Sequence, residues 1–210
     1  EPSGTHSELH YGIKFSESYT SDEQYNLLVS TPVGWQTHAV LDASSHLRWK
    51  VLMEPYFMPS SDARFYKSEG SIQLGLSFSG INLSARSGLG KVLGVEDEVP
   101  LSERYFLGGA TTVRGFHYNS LGEGIGGGLS FMTASIESHL LLGGPWTGLS
   151  FVDAGNVFAD TLSLSQLELG LGFGIQYETG WVPIRLDFAW PAKGLNSIES
   201  MKIYLSIGQP

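Results

Sequence analysis

The sequence predicts an all-β protein of one domain, a transmembrane antiparallel β-barrel, and three observations carry that expectation. Apolar and polar residues alternate with period two over runs close to the roughly 9–11 residues that cross a bilayer as a tilted strand. The polar face of these runs holds glycine, serine and charged side chains, which suits a wet interior better than a packed one. No helical period longer than a turn or two is legible, and no apolar run approaches the length of a membrane helix.

Taken in chain order, Leu9, Tyr11, Ile13 and Phe15 share one face of a run over residues 9–17. Alternation is weaker over residues 25–31 and 35–43, then clear again for Leu47, Trp49, Val51 and Met53. Ile72, Leu74, Leu76 and Phe78 alternate with Ser71, Gln73, Gly75 and Ser77. After a tight turn at Ser79 and Gly80, Ile81, Leu83 and Ala85 alternate with Asn82, Ser84 and Arg86, which is a hairpin pattern.

The most regular run is residues 167–179. There Leu167, Leu169, Leu171, Phe173, Ile175 and Tyr177 oppose Glu168, Gly170, Gly172, Gly174, Gln176 and Glu178. Val182, Ile184, Leu186, Phe188 and Trp190 oppose Pro183, Arg185, Asp187 and Ala189, and Ile203, Leu205 and Ile207 oppose Lys202, Tyr204 and Ser206. The sum is about eleven strands in an antiparallel meander. Trp35, Trp49, Tyr56, Trp146, Trp181 and Trp190, near predicted strand ends, suit the aromatic belts of the two membrane interfaces. A soluble sandwich or lipocalin-like barrel also alternates; the composition of the polar face favours the membrane.

Bulk properties exclude several classes. With 210 residues and no shift in composition, residues 1–210 form one domain. Cysteine is absent, which removes disulfides and thiolate metal sites. A net charge of -9 with only 12 lysines and arginines argues against a nucleic-acid partner. A mean hydropathy of -0.01 is uninformative, because lipid-facing and lumen-facing residues average out in a barrel. No targeting segment is legible at Glu1, so any leader or upstream domain is expected to have been removed or to lie outside this sequence.

Chemistry-bearing motifs are missing. The histidines at 6, 10, 38, 46, 117 and 139 show no metal-ligand spacing, and there is no G-x-S-x-G. The GEGIGGG stretch at residues 122–128 lacks the lysine and serine of a phosphate loop and reads as a flexible loop. The expectation is no enzyme, no cofactor and no metal.

One stretch organises the rest. Residues 107–116, LGGATTVRGF, combine a Gly108-Gly109 turn with a single arginine among small residues, and FVDAGNVF at 151–158 sets Asp153 in an otherwise uncharged strand. From the residues alone, Arg114 could as well be an exposed loop arginine, and Asp153 a turn or lumen carboxylate facing water. With its lead-in, SERYFLGGATTVRGF at 102–116 resembles the sixth extracellular loop of the Omp85 superfamily. The features that follow keep the order of the last five strands of that family's barrel: SIESHLLL with Glu137, FVDAGNVF with Asp153, LGLGFGIQYE, PIRLDFAWP and KIYLSIG. The resemblance covers roughly the C-terminal half.

It implies that Val113, Arg114, Gly115 and Phe116 form the tip of a loop folded back into the lumen, with Arg114 paired to Asp153 and Glu137. Parity agrees, since Ser135, Glu137 and His139 share one face of their strand, and Phe151, Asp153 and Gly155 share one face of the next. Gly115 would permit positive φ or close approach, and Phe116 would pack on the inner wall. The family barrel has sixteen strands and follows soluble POTRA domains; no POTRA domain is recognisable here, and the last residue is Pro210 where bacterial members end on an aromatic. The chain is therefore expected to be a C-terminal portion of such a barrel, or a shortened version.

By the same resemblance the function is assembly and insertion of other β-barrel proteins into an outer membrane. Client strands would pair at a lateral seam whose last strand is Lys202, Ile203, Tyr204, Leu205, Ser206, Ile207 and Gly208. Expected partners are unfolded barrel clients, membrane lipids and accessory subunits of an assembly complex; the compartment is a bacterial, mitochondrial or plastid outer membrane. A polypeptide-translocating pore of the same superfamily is the alternative. A passive porin and a soluble β-binding module are more distant ones.

Overall fold

The computed structural model describes residues 4–19, 25–159, 161–195 and 197–208. They form twelve strands: β1 (Gly4–Tyr11), β2 (Lys14–Tyr19), β3 (Tyr25–Ser30), β4 (Val33–Asp42), β5 (Ser45–Met58), β6 (Ala63–Phe78), β7 (Ile81–Leu93), β8 (Ser130–Gly143), β9 (Trp146–Phe158), β10 (Glu168–Glu178), β11 (Pro183–Pro191) and β12 (Lys202–Ile207). All belong to one antiparallel sheet in the order β1-β4-β5-β6-β7-β8-β9-β10-β11-β12, with the β2-β3 hairpin attached to β5 through β3. Among the described residues β1 and β12 do not pair with each other, so the sheet is not closed.

The predicted run over residues 9–17 is two strands. β1 pairs with β4 and β2 pairs with β3, and Gly12 and Ile13 lie between them in neither ladder. Alternation continues across the break because period two does not register a change of partner. The turn at Ser79 and Gly80 closes the β6-β7 hairpin, with Gly80 at φ 80°.

The faces are inverted relative to a soluble barrel. On β10 Leu169, Phe173, Ile175 and Tyr177 are exposed, and on β12 Ile203, Leu205 and Ile207 are exposed, whereas Asp153, Arg185 and Asp187 are buried on the inner face. Exposed apolar surface on this scale on a continuous sheet needs a lipid neighbour. Phe173, central in β10 and 55% exposed, tests that orientation: Phe173→Arg is expected to destabilise the bilayer-embedded protein by about 2–4 kcal/mol. Urea unfolding in liposomes reads it, and an unchanged midpoint would place this face away from lipid.

The interior is not uniformly wet. Past Met53 the inward positions of β5 become Glu54, Tyr56 and Met58, and the long strands β6 and β7 add Phe65 and Val92 at the same end. Of these, Tyr56, Phe65 and Val92 pack with Leu28, Val99, Tyr105, Leu107, Val113, Leu129 and Val157 in one apolar cluster. Tyr56 is therefore a core residue stacked on Phe65 at 4.6 Å, not part of an interfacial belt. Its position was misleading because β5 runs on to Met58 and its inward parity holds to the end. Trp35, Trp146 and Trp181 are exposed at or near strand ends, whereas Trp49 and Trp190 are half-buried.

Candidate functional site

The segment between β7 and β8 is the longest connection and turns inward over the sheet. Two isolated bridges, Tyr105 with Gly128 and Leu107 with Leu121, close its base. At the turn Gly108 and Gly109 both have positive φ, 107° and 102°, and the Gly108 N–H donates to Thr112 Oγ1 at 2.9 Å. A Cβ on Gly108 would overlap the His117 carbonyl oxygen, so the doubling-back depends on glycine there. Residues 107–121 thus make a closed tongue, and its tip, Val113 and Arg114, is buried.

Arg114 sits in a pocket made by three strands. Its Nε donates to Asp153 Oδ2 at 2.7 Å and its Nη2 to Asp153 Oδ1 at 2.8 Å, a bidentate fork, while its backbone N–H donates to Asp153 Oδ2 at 3.0 Å. Nη1 donates to Glu137 Oε2 at 2.5 Å. The guanidinium lies 3.4 Å from the centroid of the Phe151 ring, a cation–π contact. Ser135 Oγ donates to Asp153 Oδ1 at 2.6 Å, so each oxygen of this wholly buried carboxylate accepts two hydrogen bonds.

A second arginine completes the cluster. Arg185 on β11 donates from Nη1 and Nη2 to the two oxygens of Glu137, both at 2.8 Å, and from Nε to Asp187 at 2.9 Å. Arg114 Nη1 is also 3.6 Å from Asp187 Oδ2, and His139 Nε2 is 2.6 Å from Glu137 Oε1. Glu137 therefore bridges the loop arginine and the wall arginine. Two guanidinium groups shared among three carboxylates satisfy each other where one unpartnered ion would cost several kcal/mol. The cluster faces a cavity of about 650 Å³ whose other walls include Arg48, Gln73, Arg86 and Gln176.

The glycine-rich strand makes the seat. β10 lies between β9 and β11, with Gly170 opposite both Asp153 and Pro191. A Cβ on Gly170 would overlap the Arg114 carbonyl oxygen, and one on Gly174 would overlap Asp187 Oδ1. Gly155 on β9 similarly leaves room for Val113, whose Cγ2 would lie 2.7 Å from an added Cβ. Gly115, at φ 96°, brings the tip against β11, where a Cβ would be 2.6 Å from the Trp190 carbonyl carbon. Phe116 packs on the apolar cluster.

The sequence profile of the Omp85 superfamily domain matches residues 40–210. The chain belongs to the Omp85 superfamily. Among solved structures its fold is similar to the crystal structure of BamA from Haemophilus ducreyi lacking POTRA domains 1–3, with a TM-score of 0.61 at 14% sequence identity. The alignment covers 96% of this chain and 59% of that one, so the chain spans less than two thirds of that structure's length. This is an outer-membrane β-barrel protein of the superfamily, and the Arg114 tongue lies inside its sheet.

Among the described residues the last strand is Lys202–Ile207, one residue shorter than the expected run to Gly208. Gly208 lies beyond β12 at φ 92°, a left-handed conformation that leaves the strand, although its N–H still donates to the Pro183 carbonyl at 2.9 Å. Lys202, Tyr204 and Ser206 occupy one face of β12 and Ile203, Leu205 and Ile207 the exposed other. Tyr204 meets the loop tip: its hydroxyl accepts from the Gly115 N–H at 3.0 Å and donates to the Phe116 carbonyl at 2.9 Å.

Sequence reasoning did not single out Arg185, Asp187, Ser135, His139, Gly170 or the Tyr204 hydroxyl as members of the site. Parity had set Arg185 and Asp187 on the polar face of their strand. A second buried arginine next to the same acids follows only from the register that aligns β8, β9, β10 and β11.

Proposed function

We propose that this chain takes part in assembling other β-barrel proteins into an outer membrane, by templating client strands at its terminal edge. One observation carries the reading: a lumenal tongue clamped by Arg114 to Asp153 and Glu137 reaches across the sheet to β12 and bonds it through Tyr204. An edge strand in lipid presents unsatisfied N–H and C=O groups, and an incoming strand is the group that satisfies them without water. The exposed Ile203, Leu205 and Ile207 would continue onto the lipid face of a client strand added there. Unfolded barrel clients, lipids and accessory subunits are the partners on this reading, in a bacterial or organellar outer membrane. The clamp acts by position and charge, not by turnover.

Translocation of a polypeptide through the lumen is the second reading, favoured by the polar cavity of about 650 Å³ beside the tongue. The deciding experiment follows the folding rate of a small unfolded barrel client added to liposomes with and without this protein. Client folding accelerated over empty liposomes is the expected result. No acceleration, with the protein itself folded in the bilayer, would overturn assembly by this chain and leave translocation to be tested by passage of an unfolded polypeptide.

A further inference from the structure

We propose that Tyr204 is a latch through which the lumenal tongue holds the terminal strand, so that the readiness of β12 to accept a partner depends on whether the tongue is seated. As a control on strand pairing it rests on the assembly reading above; the coupling itself can be measured without a client.

β12 is a short strand. Its six residues pair only with β11, from Lys202 opposite Ala189 to Ile207 opposite Ile184, and its other edge is unpaired among the described residues. Its apolar side chains point away from the protein, with Leu205 67% exposed. Among the described residues, the two bonds of the Tyr204 hydroxyl are the only hydrogen bonds between β12 and the tongue. They fall near the middle of the strand, where they resist fraying from both ends.

The contact reads backbone conformation. The hydroxyl accepts from the N–H of Gly115 and donates to the C=O of the next residue, Phe116, so both groups must face β12 together. Gly115 supplies the positive φ at this step, and its missing Cβ lets the tip lie against Trp190 and Pro191 on β11, the neighbour of β12. Arg114, one residue before, is fixed by Asp153. A displacement of the tip that breaks the arginine fork must therefore also break or drag the tyrosine bonds. Tyr204 is a positioning residue that links the charge cluster to the edge.

The test is hydrogen exchange of the full chain in liposomes, followed by mass spectrometry over residues 202–207. Tyr204→Phe keeps the ring and removes only the hydroxyl, and is expected to speed exchange in β12 on the order of tenfold. Ser206→Ala, on the same face and without a bond to the tongue, should leave it unchanged, as should both variants over β9. Arg114→Ala should speed β12 in the parent and add nothing in Tyr204→Phe, because the path is already cut. Faster exchange at Gly115 with unchanged β12 would overturn the latch and leave Tyr204 a support for the tongue. Additive effects of the two substitutions on β12 would overturn it as well. Faster β12 exchange without any change in client folding would support the latch and count against the assembly reading.

Discussion

Arg114→Ala is expected to destabilise the membrane-embedded protein by about 3–5 kcal/mol and to release the tongue from the lumen. The magnitude follows from what the arginine leaves behind. Asp153 is fully buried and, apart from Arg114, is hydrogen-bonded only by Ser135 among the described residues. Glu137 keeps Arg185 and His139, so the uncompensated charge concentrates on Asp153. The protein can respond by admitting water or expelling the tip, and either response loosens residues 107–121. Urea unfolding in liposomes measures the first effect, and proteinase K cleavage within the tongue measures the second. Arg114→Lys retains the charge but not the fork to both Asp153 oxygens, and should recover only part of the loss. A midpoint and cleavage rate equal to the parent's would mean that the buried cluster holds nothing in place.

Gly170→Val should have an effect of similar size without touching a charged group. A Cβ at this position overlaps the carbonyl oxygen of Arg114, a backbone atom that can withdraw only if the tip moves. Gly170 has no positive φ, and valine favours strands, so local preference would predict a gain. Overpacking costs typically about 1–3 kcal/mol, and a tip driven off its seat forfeits the Arg114 fork in addition. Gly70→Ala on β6 is the matched control: nothing lies within 4 Å of its Cβ, and it should be neutral or stabilise by about 0.4–1 kcal/mol. Combined with Arg114→Ala, Gly170→Val should add little, since both remove the same seating. Full additivity in the unfolding midpoint would show that Gly170 shapes the strand and not the seat.

The two substitutions also bear on how the glycines of residues 167–179 are understood. In the sequence they read as the polar face of an alternating strand. In the structure Gly170 and Gly174 are spaces, one filled by loop backbone and the other by the Asp187 carboxylate. Period two could place them on the inner face, because successive Cβ directions alternate whatever the neighbours are. It could not say that a loop from 56 residues earlier in the chain would occupy the room they leave, since that depends on the path of residues 94–129 and not on β10.

Local alternation determined much of this protein by itself. It set the all-β class, the lipid-facing residues such as Phe173 and Leu205, the inward parity of Glu137, Asp153, Arg185 and Asp187, and the β6-β7 hairpin at Gly80. Strand direction and face are short-range properties of the chain, so a few consecutive residues suffice to write them. The tertiary structure decided the rest: the division of residues 9–17 between two partners, the apolar filling around Tyr56 and Val113, the joining of Arg114 and Arg185 through Glu137, and the bonds from Tyr204 to the loop tip. Each of these depends on register between segments far apart in sequence. Register is fixed by summed cross-strand pairing and by the space a folded loop can fill, and neither has a signature in any single stretch of residues.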